Sequence, residues 1–560
     1  MKVQLQQREY SQIKKQNNIR NQNGNSQTTF KGLSGALNYF ATNTGVGACG
    51  TDLTFMVFPR TLNEIPRGAD ATAEAAFRES CGTVNHAAIG AYGLAGGALI
   101  AGALASQYGV DAKKMFTSPE RVEALAEFWT EHIRKGEQST QKDYLKKIVE
   151  QIEGYNTTRS KNVSFIKLAD ADKTRVVEIL DKVINDDTIT QDVWRNKSPE
   201  RNILKAIITE STGAETKVRL QKGGVSNAEA LLDDIVGMTK AFKKEKVTEQ
   251  FVEALSGKEN KFLSAMSKFN KGRALIGFTV ASGIGLSVQP INMWITKKRT
   301  GKTGFVGGSE GCGKDTSAKF MAERLAVGAA MGAMVLGALK CKPKDFLNRM
   351  AFKGLAPTLD QLKGIYGTTI IGRVLVTRSE DELRESATKD ICGYLSWLVL
   401  GDFMNRGTAA MLKGKELLNF NREIDKNVVT GSTLKSRSEV LREALRSVNI
   451  STITKDAKGV EKAMGIDAMI KELKSNPAAQ SIKKATMGKL WVLTAAQVVG
   501  YAFTGLALGV GIPKLNIAMT RRAEAKRRQK RMEIDSQQKM MAEVKPAKTE
   551  DVKKAQNVAV

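Results

Sequence analysis

The residues from Gly308 to Thr316, GSEGCGKDT, have the types and spacing that come closest to a chemical site. Closely spaced glycines let backbone N–H groups surround a phosphate, because no Cβ blocks the approach. Lys314 would then contact the β- and γ-phosphate oxygens, and Thr316 would offer a hydroxyl to Mg²⁺. The candidate phosphate-binding residues are Gly308, Gly311, Gly313, Lys314 and Thr316.

The spacing G-x-x-G-x-G-K-x-T resembles the phosphate loop of adenylate-kinase-like phosphotransferases, and an Ala-Glu-Arg-Leu run follows shortly after. The resemblance is confined to this stretch and implies an NTP-binding protein. Two features oppose it: Asp315 would turn a negative charge toward the phosphates, and Lys302 to Val306 is a poor buried strand where such a fold requires one. We therefore favour a glycine loop between two apolar helices, with no cofactor, and keep NTP binding as an alternative.

Other residues with catalytic or metal-binding chemistry are scarce. The chain has two histidines, His86 and His132, and five cysteines without a CxxC pair. A zinc site or a His-based catalytic triad therefore lacks its side chains. His86 lies among alanines and glycines, where a packed polar residue is expected rather than a ligand. We predict no catalytic residue and no metal site, and hence a protein that is not an enzyme.

The excess of basic residues predicts an anionic partner. The chain has 86 Lys and Arg against 58 Asp and Glu, a net charge of +28. Basic clusters at 297–302, 340–344 and 521–531 each adjoin an apolar segment, and few aromatic residues are placed to stack on bases. Anionic membrane lipid is therefore favoured over nucleic acid. The predicted headgroup contacts are Lys297, Lys298, Arg299, Arg521, Arg522, Arg527 and Arg528.

Four apolar segments adjoin these clusters, and each is long enough for a membrane helix. A helix needs roughly 20 apolar residues to cross about 30 Å of hydrocarbon. The first segment has no charged residue between Glu79 and Asp111, and Pro290 predicts a kink or an end in the second. The predicted membrane helices are Cys81–Val110, Ala274–Thr296, Ala318–Leu339 and Leu490–Ile512.

Pairs of glycines four residues apart recur in three of these segments. This spacing places both glycines on one helix face, where a second backbone can approach closely. The pattern predicts helix packing through these faces, within the chain or between copies in a homo-oligomer. The pairs are Gly93 with Gly97, Gly328 with Gly332, and Gly505 with Gly509.

These elements predict an all-α, membrane-associated helical bundle. The mean hydropathy of −0.27 requires that the membrane part be a minority of the chain. An even number of crossings would put both basic termini on the cytoplasmic side. The predicted division is 1–31, a disordered basic Gln/Asn-rich tail; 32–110, an apolar region with the first membrane helix; 111–272, a soluble helical domain; 273–340, a membrane helix pair joined by the basic glycine-rich loop; 341–489, a mostly soluble helical region; 490–513, a membrane helix; and 514–560, a basic tail predicted to be cytoplasmic.

Two functional hypotheses follow besides NTP binding. The first is an integral membrane protein with a structural or scaffolding role, whose Gly/Ala helices associate and whose basic flanks bind anionic lipid. The second is a soluble helical assembly or particle protein, whose Gly/Ala helices are buried in protein. The two differ in what surrounds the apolar helices: an outward-facing apolar belt indicates the first, and a cover of charged helices indicates the second.

Overall fold

A computed structural model describes residues 44–113, 115–157, 163–214, 218–301, 315–352, 354, 356–422, 429–457 and 459–556. The predicted tail at 1–31 and the loop residues Gly308 to Lys314 lie outside the described residues. Helices make up most of the described chain, and the strands are few and short. The predicted all-α class is therefore confirmed.

The amino-terminal part leads through short helices into one long broken helix. The prediction of a single helix over Cys81–Val110 is wrong, because the helix is interrupted at Ala88 and bends by 43° at Ala101. Glycine favours helix less than other residues except proline, so breaks cost little in this Gly-rich stretch. The elements are α1 (Thr44–Asp52), α2 (Phe58–Glu64), α3 (Ala69–Ala87), α4 (Ile89–Ile100) and α5 (Gly102–Tyr108), with a π-helical turn at Leu53–Val57 and a 3₁₀ turn at Ile65–Arg67.

The next part is the predicted soluble domain, which contains a small sheet that the helical interpretation missed. Its strands are antiparallel in the order β2-β1-β3-β4. The first helix starts at a local N-terminal signal, since Ser118 Oγ accepts a hydrogen bond from the N–H of Arg121 and Pro119 follows. The elements are α6 (Pro119–Lys135), α7 (Gln141–Glu150), β1 (Ile152–Thr157), β2 (Val163–Lys167), α8 (Asp170–Asn185), α9 (Gln191–Lys197), α10 (Pro199–Thr212), β3 (Val218–Leu220), β4 (Val225–Ser226), α11 (Ala228–Phe242) and α12 (Glu245–Leu255).

The central part consists of long helices. The third predicted membrane helix, Ala318–Leu339, has the bounds that the sequence predicts. The second starts earlier than predicted and continues without a break through Pro290, whose side chain is on the exposed face. The elements are α13 (Lys261–Thr300), α14 (Ala318–Leu339), α15 (Phe346–Arg349), α16 (Leu359–Leu375) and α17 (Glu380–Leu395).

The carboxyl-terminal part contains a second small domain and then one long, nearly continuous helix. A π-helical turn at Ala507–Gly511 joins the last two helices, so the predicted membrane helix Leu490–Ile512 continues into the basic tail. The elements are α18 (Gly401–Lys413), β5 (Leu418–Arg422), β6 (Val429–Leu434), α19 (Arg437–Arg446), β7 (Ile453–Lys455), β8 (Glu461–Ala463), α20 (Ile466–Ser475), α21 (Gln480–Leu506) and α22 (Ile512–Gln556).

Helices α3 and α4 run antiparallel to α13 over most of its length. Side-chain hydrogen bonds fix this register near the end of α13, and glycines allow close contact farther back. Helices α16 and α17 form an antiparallel pair beside them, since Arg373 on α16 reaches Asp390 on α17 and the earlier Tyr366 stacks on the later Tyr394. The contacts along α13 are, in order, Arg299 with Asp70, Asn292 with Glu74, Ala281 with Asn85, and Gly277 with Gly93.

The bundle has two distinct ends. The tail end carries Lys297 to Arg299, the start of α14, and α22 beyond Thr520. The domain end carries the described residues of 111–260 and 414–479, which contact each other where Arg446 donates to the carbonyl of Ser211 at 3.0 Å. Both folded domains therefore lie on the same side of the apolar helices. Helix α18 continues α17 through a π-helical turn at Ser396–Leu400 and packs along α21.

Candidate functional site: an apolar belt and a buried charged chamber

The outer faces of the long helices expose large apolar side chains. Three helices in the described chain are long and apolar enough to cross a membrane, and the bent pair α4 and α5 would make four. Only 22% of the most apolar 18-residue stretch of α14 is buried in the protein. We call this outward surface the apolar belt, and its exposed members include Leu275, Val280, Ile284, Leu286, Ile291, Trp294, Leu325, Trp491, Val498 and Leu506.

Polar side chains of the same helices point inward. On α13, Ser282 lies 3.1 Å from the Thr368 hydroxyl. On α21, Gln497 Oε1 accepts a hydrogen bond of 2.5 Å from buried Arg437, and Thr504 is also buried. This polarity is the reverse of a water-soluble helix, which buries its apolar face. The arrangement suits an apolar surrounding, where polar groups must find partners inside the protein.

The first glycine pair lies where α4 packs against α13. A Cβ built on Gly93 would lie 2.3 Å from the ring of Phe352, and one on Gly97 would lie 3.0 Å from Arg273 Cδ. The same Phe352 ring would lie 2.6 Å from a Cβ on Gly277. The ring is therefore held between two glycines on neighbouring helices.

The other two pairs differ in how closely they are packed. A Cβ on Gly505 would lie 2.9 Å from the ring of Phe55, whereas the nearest atoms to Gly328 and Gly332 are at 3.7 and 4.0 Å, on Leu375 and Ile371. The last two distances are ordinary van der Waals contacts. Gly509 resembles Gly505, with the ring of Pro59 at 3.2 Å.

The basic residues at the end of α13 are exposed at the tail end. Lys297, Lys298 and Arg299 all reach solvent. The Lys298 ammonium lies 5.3 Å from the centroid of the exposed Trp294 ring, and Arg299 pairs with Asp70. An aromatic ring beside lysines is the arrangement found at membrane–water interfaces.

The basic residues of α22 continue this surface. Arg521, Arg522 and Arg528 are exposed, and Arg527 pairs with Asp381 at the start of α17. The predicted headgroup residues on α13 and α22 therefore belong to the same end of the bundle, although more than 200 residues separate them in sequence.

The last residues of the glycine loop, which the structure describes from Asp315 onward, form hydrogen bonds with the start of α14. Asp315 Oδ1 accepts a hydrogen bond of 2.8 Å from the N–H of Ser317, and Ser317 Oγ caps α14 at the N–H of Phe320. Thr316 is exposed. The carboxylate of Asp315 thus accepts a hydrogen bond from the N–H of the N-cap residue of α14.

His86 is fully buried and has a structural partner. Its Nδ1 lies 2.9 Å from Asp52 Oδ2, which also accepts a hydrogen bond of 3.0 Å from Thr83. The ring packs edge-on against Tyr366. Among the residues that the structure describes, no group of three or more His, Cys, Asp and Glu could hold a metal ion.

A cavity of about 40 Å³ lies inside the tail end of the bundle, and we call it the charged chamber. Its walls come from α2, α3, α13 and α17, so residues more than 300 positions apart meet there. None of these residues is predicted from the sequence to belong to a site. The polar residues that line it are Glu64, Arg67, Glu74, Arg78, Gln289, Glu382, Glu385, Ser386, Lys389 and Asp390.

Ion pairs hold the walls of the chamber together. Arg67 donates to both oxygens of Glu385 at 2.9 Å, and Arg378 binds Glu382 at 2.8 Å and Glu74 at 3.3 Å. These pairs join α3 to α17 and fix both to the connection after α2. Burial raises the pKa of Glu74 despite the attraction of Arg378.

A second set of pairs lies deeper in the bundle. Arg60 contacts Glu79 at 3.0 Å and Asp390 at 3.6 Å, while Arg373 contacts Asp390 at 3.2 Å. All of these side chains are almost completely buried. Charges inside an apolar bundle persist only when they are paired, as these are.

The chain matches no protein-family model, no curated protein and no solved structure.

Proposed function

We propose that the protein is an integral membrane protein with a structural or scaffolding role, in which the apolar helices rest in lipid and hold two folded domains on one side. The observation that carries the proposal is the reversed polarity of α13 and α21. Large apolar side chains face outward, and Gln289, Asn292 and Gln497 face inward. In water, the exposed face would cost roughly 25 cal/mol for each Å² of apolar surface.

Anionic membrane lipid is the proposed partner at the tail end. Trp294 and Lys298 lie together at the rim of the belt, and the arginines of α22 extend the positive surface beyond it. Each basic residue near an anionic surface contributes about 1 kcal/mol of attraction. We place this end in the cytoplasm, because a basic tail directly after a membrane helix favours the cytoplasmic side.

The alternative is a soluble assembly in which other copies cover the belt. Association through the small-residue faces would then bury the exposed side chains of α13, α14 and α21. The two proposals differ in a direct way: the first requires lipid or detergent around the belt, and the second requires only other copies of the chain.

Membrane extraction separates these proposals. We expect the protein to sediment with membranes after alkaline carbonate treatment and to dissolve on addition of detergent. Release by carbonate alone, as an oligomer without detergent, would overturn the membrane proposal and support the assembly.

A pair of matched variants tests whether the apolar belt is the part of the chain that inserts into the membrane. Ile284→Lys puts a charge in the belt, where it costs about 3 kcal/mol of insertion free energy. Val252→Lys makes the same change at an exposed apolar residue of α12, in the domain. We expect a lower membrane-integrated fraction for Ile284→Lys alone, and equal fractions for both variants would contradict the proposal.

A lipid titration tests the partner. The melting temperature of the detergent-purified parent should rise when anionic phospholipid is added, and zwitterionic phospholipid should have less effect. Replacing Arg521, Arg522 and Arg528 by Gln should reduce the rise. Replacing the exposed domain lysines Lys142 and Lys146 by Gln should leave it unchanged.

A further inference from the structure

Lys389 lies between two cavities at the tail end of the bundle. The charged chamber is on one side, and a smaller cavity of about 10 Å³ is on the other. Both are lined by Glu64, Arg67 and Lys389. A cavity of about 10–15 Å³ holds one water, so the two together have room for several.

Each cavity contains a buried amide oxygen with no hydrogen-bond partner among the described residues. Gln289 Oε1 faces the charged chamber, and Asn516 Oδ1 belongs to the smaller cavity. Both residues are only 5% exposed. An unsatisfied buried polar group of this kind costs about 1–3 kcal/mol, which a bound water removes.

The Lys389 ammonium also lacks a direct hydrogen bond within the described part of the chain. Its Nζ lies 3.8 Å from an oxygen of Glu64 and 3.8 Å from an oxygen of Glu79. These distances allow attraction but exceed hydrogen-bond length. A contact beyond about 3.5 Å between polar groups is the usual sign of a bridging water.

The charges around Lys389 balance, which determines the class of ligand. The acidic groups are Glu64, Glu74, Glu79, Glu382, Glu385 and Asp390. The basic groups are Arg60, Arg67, Arg78, Arg373, Arg378 and Lys389. Because the two sets of described residues are equal in number while Lys389 is charged, a bound ion would leave an uncompensated buried charge, whereas bound water would not.

We propose that these two cavities form a hydrated proton-binding site, in which Lys389 exchanges its proton through bound water with the solvent at the tail end. In the exchange the ammonium gives one proton to water and becomes a neutral amine. Glu64, whose side chain is 17% exposed, connects the site to solvent. The site does not depend on the proposed membrane function.

The electrostatics of the site agree with this assignment. Burial is the main cause that lowers the pKa of Lys389 to about 8; the guanidinium groups of Arg78 and Arg60 act in the same direction, against the attraction of Glu79 and Glu64. A lysine of this kind changes charge near neutral pH, whereas an exposed lysine does not.

Proton counting on the purified full-length protein tests the proposal. Between pH 9 and pH 7, a group with a pKa near 8 takes up about 0.8 of a proton, and an ordinary lysine almost none. We expect Lys389→Met and Lys389→Arg to take up about 0.8 proton fewer than the parent. Lys319→Met, which removes an exposed lysine of α14, should match the parent. Equal uptake by the parent and folded Lys389 variants would overturn the proposal.

A measurement on the parent alone covers the case in which those variants do not fold. With ¹³Cε-labelled lysine, NMR should show one lysine with a titration midpoint near pH 8. Gln289→Leu should lower that midpoint, because the site loses a group that holds water, and Ser287→Ala on the same helix should not. No lysine titrating below about pH 9.5 would overturn the site. An unchanged midpoint in Gln289→Leu would show a dry ion-pair cluster instead.

Discussion

The Phe352 ring lies between Gly93 on α4 and Gly277 on α13, and we call it the Phe352 wedge. This contact makes the packing of the two helices sensitive to a single methyl group. A Cβ introduced by Gly93→Ala would lie 2.3 Å from Cδ1 and Cε1 of the ring. The ring cannot withdraw toward α13, because Gly277 already faces its other edge, with a built Cβ 2.6 Å from Cζ. The substitution must therefore separate the helices or displace the ring.

The expected cost is the difference between two effects. Overpacking a tight core costs about 1–3 kcal/mol, and replacing a helical glycine by alanine recovers about 0.5–1 kcal/mol. Gly93→Ala should thus lower the free energy of unfolding by up to about 2.5 kcal/mol. Gly332→Ala is the matched control, since its nearest neighbour would be 4.0 Å away, and it should gain about 0.5–1 kcal/mol.

Thermal unfolding of both variants in the same detergent is the assay. The melting temperature should fall for Gly93→Ala and stay level or rise for Gly332→Ala. Adding Phe352→Leu to Gly93→Ala should recover part of the loss, with a coupling of about 0.5–3 kcal/mol. Equal stability of Gly93→Ala and Gly332→Ala would show that the Phe352 ring does not set the distance between α4 and α13.

Three further predictions concern charge. The pKa of Lys389 is about 8 in the folded protein, against an ordinary value of 10.5. Between these two pH values the unfolded chain binds more protons than the folded chain, so the free energy of unfolding rises with pH, by at most about 3 kcal/mol. The melting temperature of the parent should therefore rise relative to that of Lys389→Met between pH 8 and pH 10.5. Arg373→Met should cost about 3–5 kcal/mol by leaving Asp390 with only the more distant Arg60, and Asp390→Leu in the same chain should restore stability in thermal unfolding. For the glycine loop, calorimetric titration should show no ATP binding by the parent; binding that Lys314→Ala abolishes would establish the nucleotide site instead.

Local sequence signals predicted several helices well. Helix α14 has the predicted bounds because Ser317 supplies an N-cap and Lys340, in the left-handed conformation, ends it. The domain helix after Ser118 begins for the same local reason. Where propensity conflicted with packing, the prediction failed: Pro290 lies within a continuous helix, because surrounding contacts hold α13 on both sides of it.

The charged chamber could not be predicted from the sequence. Its pairs join α2 and α3 to α17, and Arg67 is 318 residues from Glu385. In sequence, Glu380 to Asp390 reads as a charged surface helix, and only its contacts show that Asp381, Glu382, Lys389 and Asp390 are buried. The small sheet of the domain was missed because its strands have six residues or fewer, without clear alternation.

The long sequence separation of these pairs determines the order of events during synthesis. Arg60, Arg67 and Arg378 each have one carboxylate partner that is translated before α17, namely Glu79, Glu64 and Glu74. Their further partners on α17 are translated later, so an unfinished chain holds only part of the ion-pair set. We expect a chain that stops before Glu380 to be recognised as unassembled and degraded, while one that stops after α17 has every partner for those cations. Only a chain translated through α17 therefore has the complete set of ion pairs that join α17 to the earlier helices.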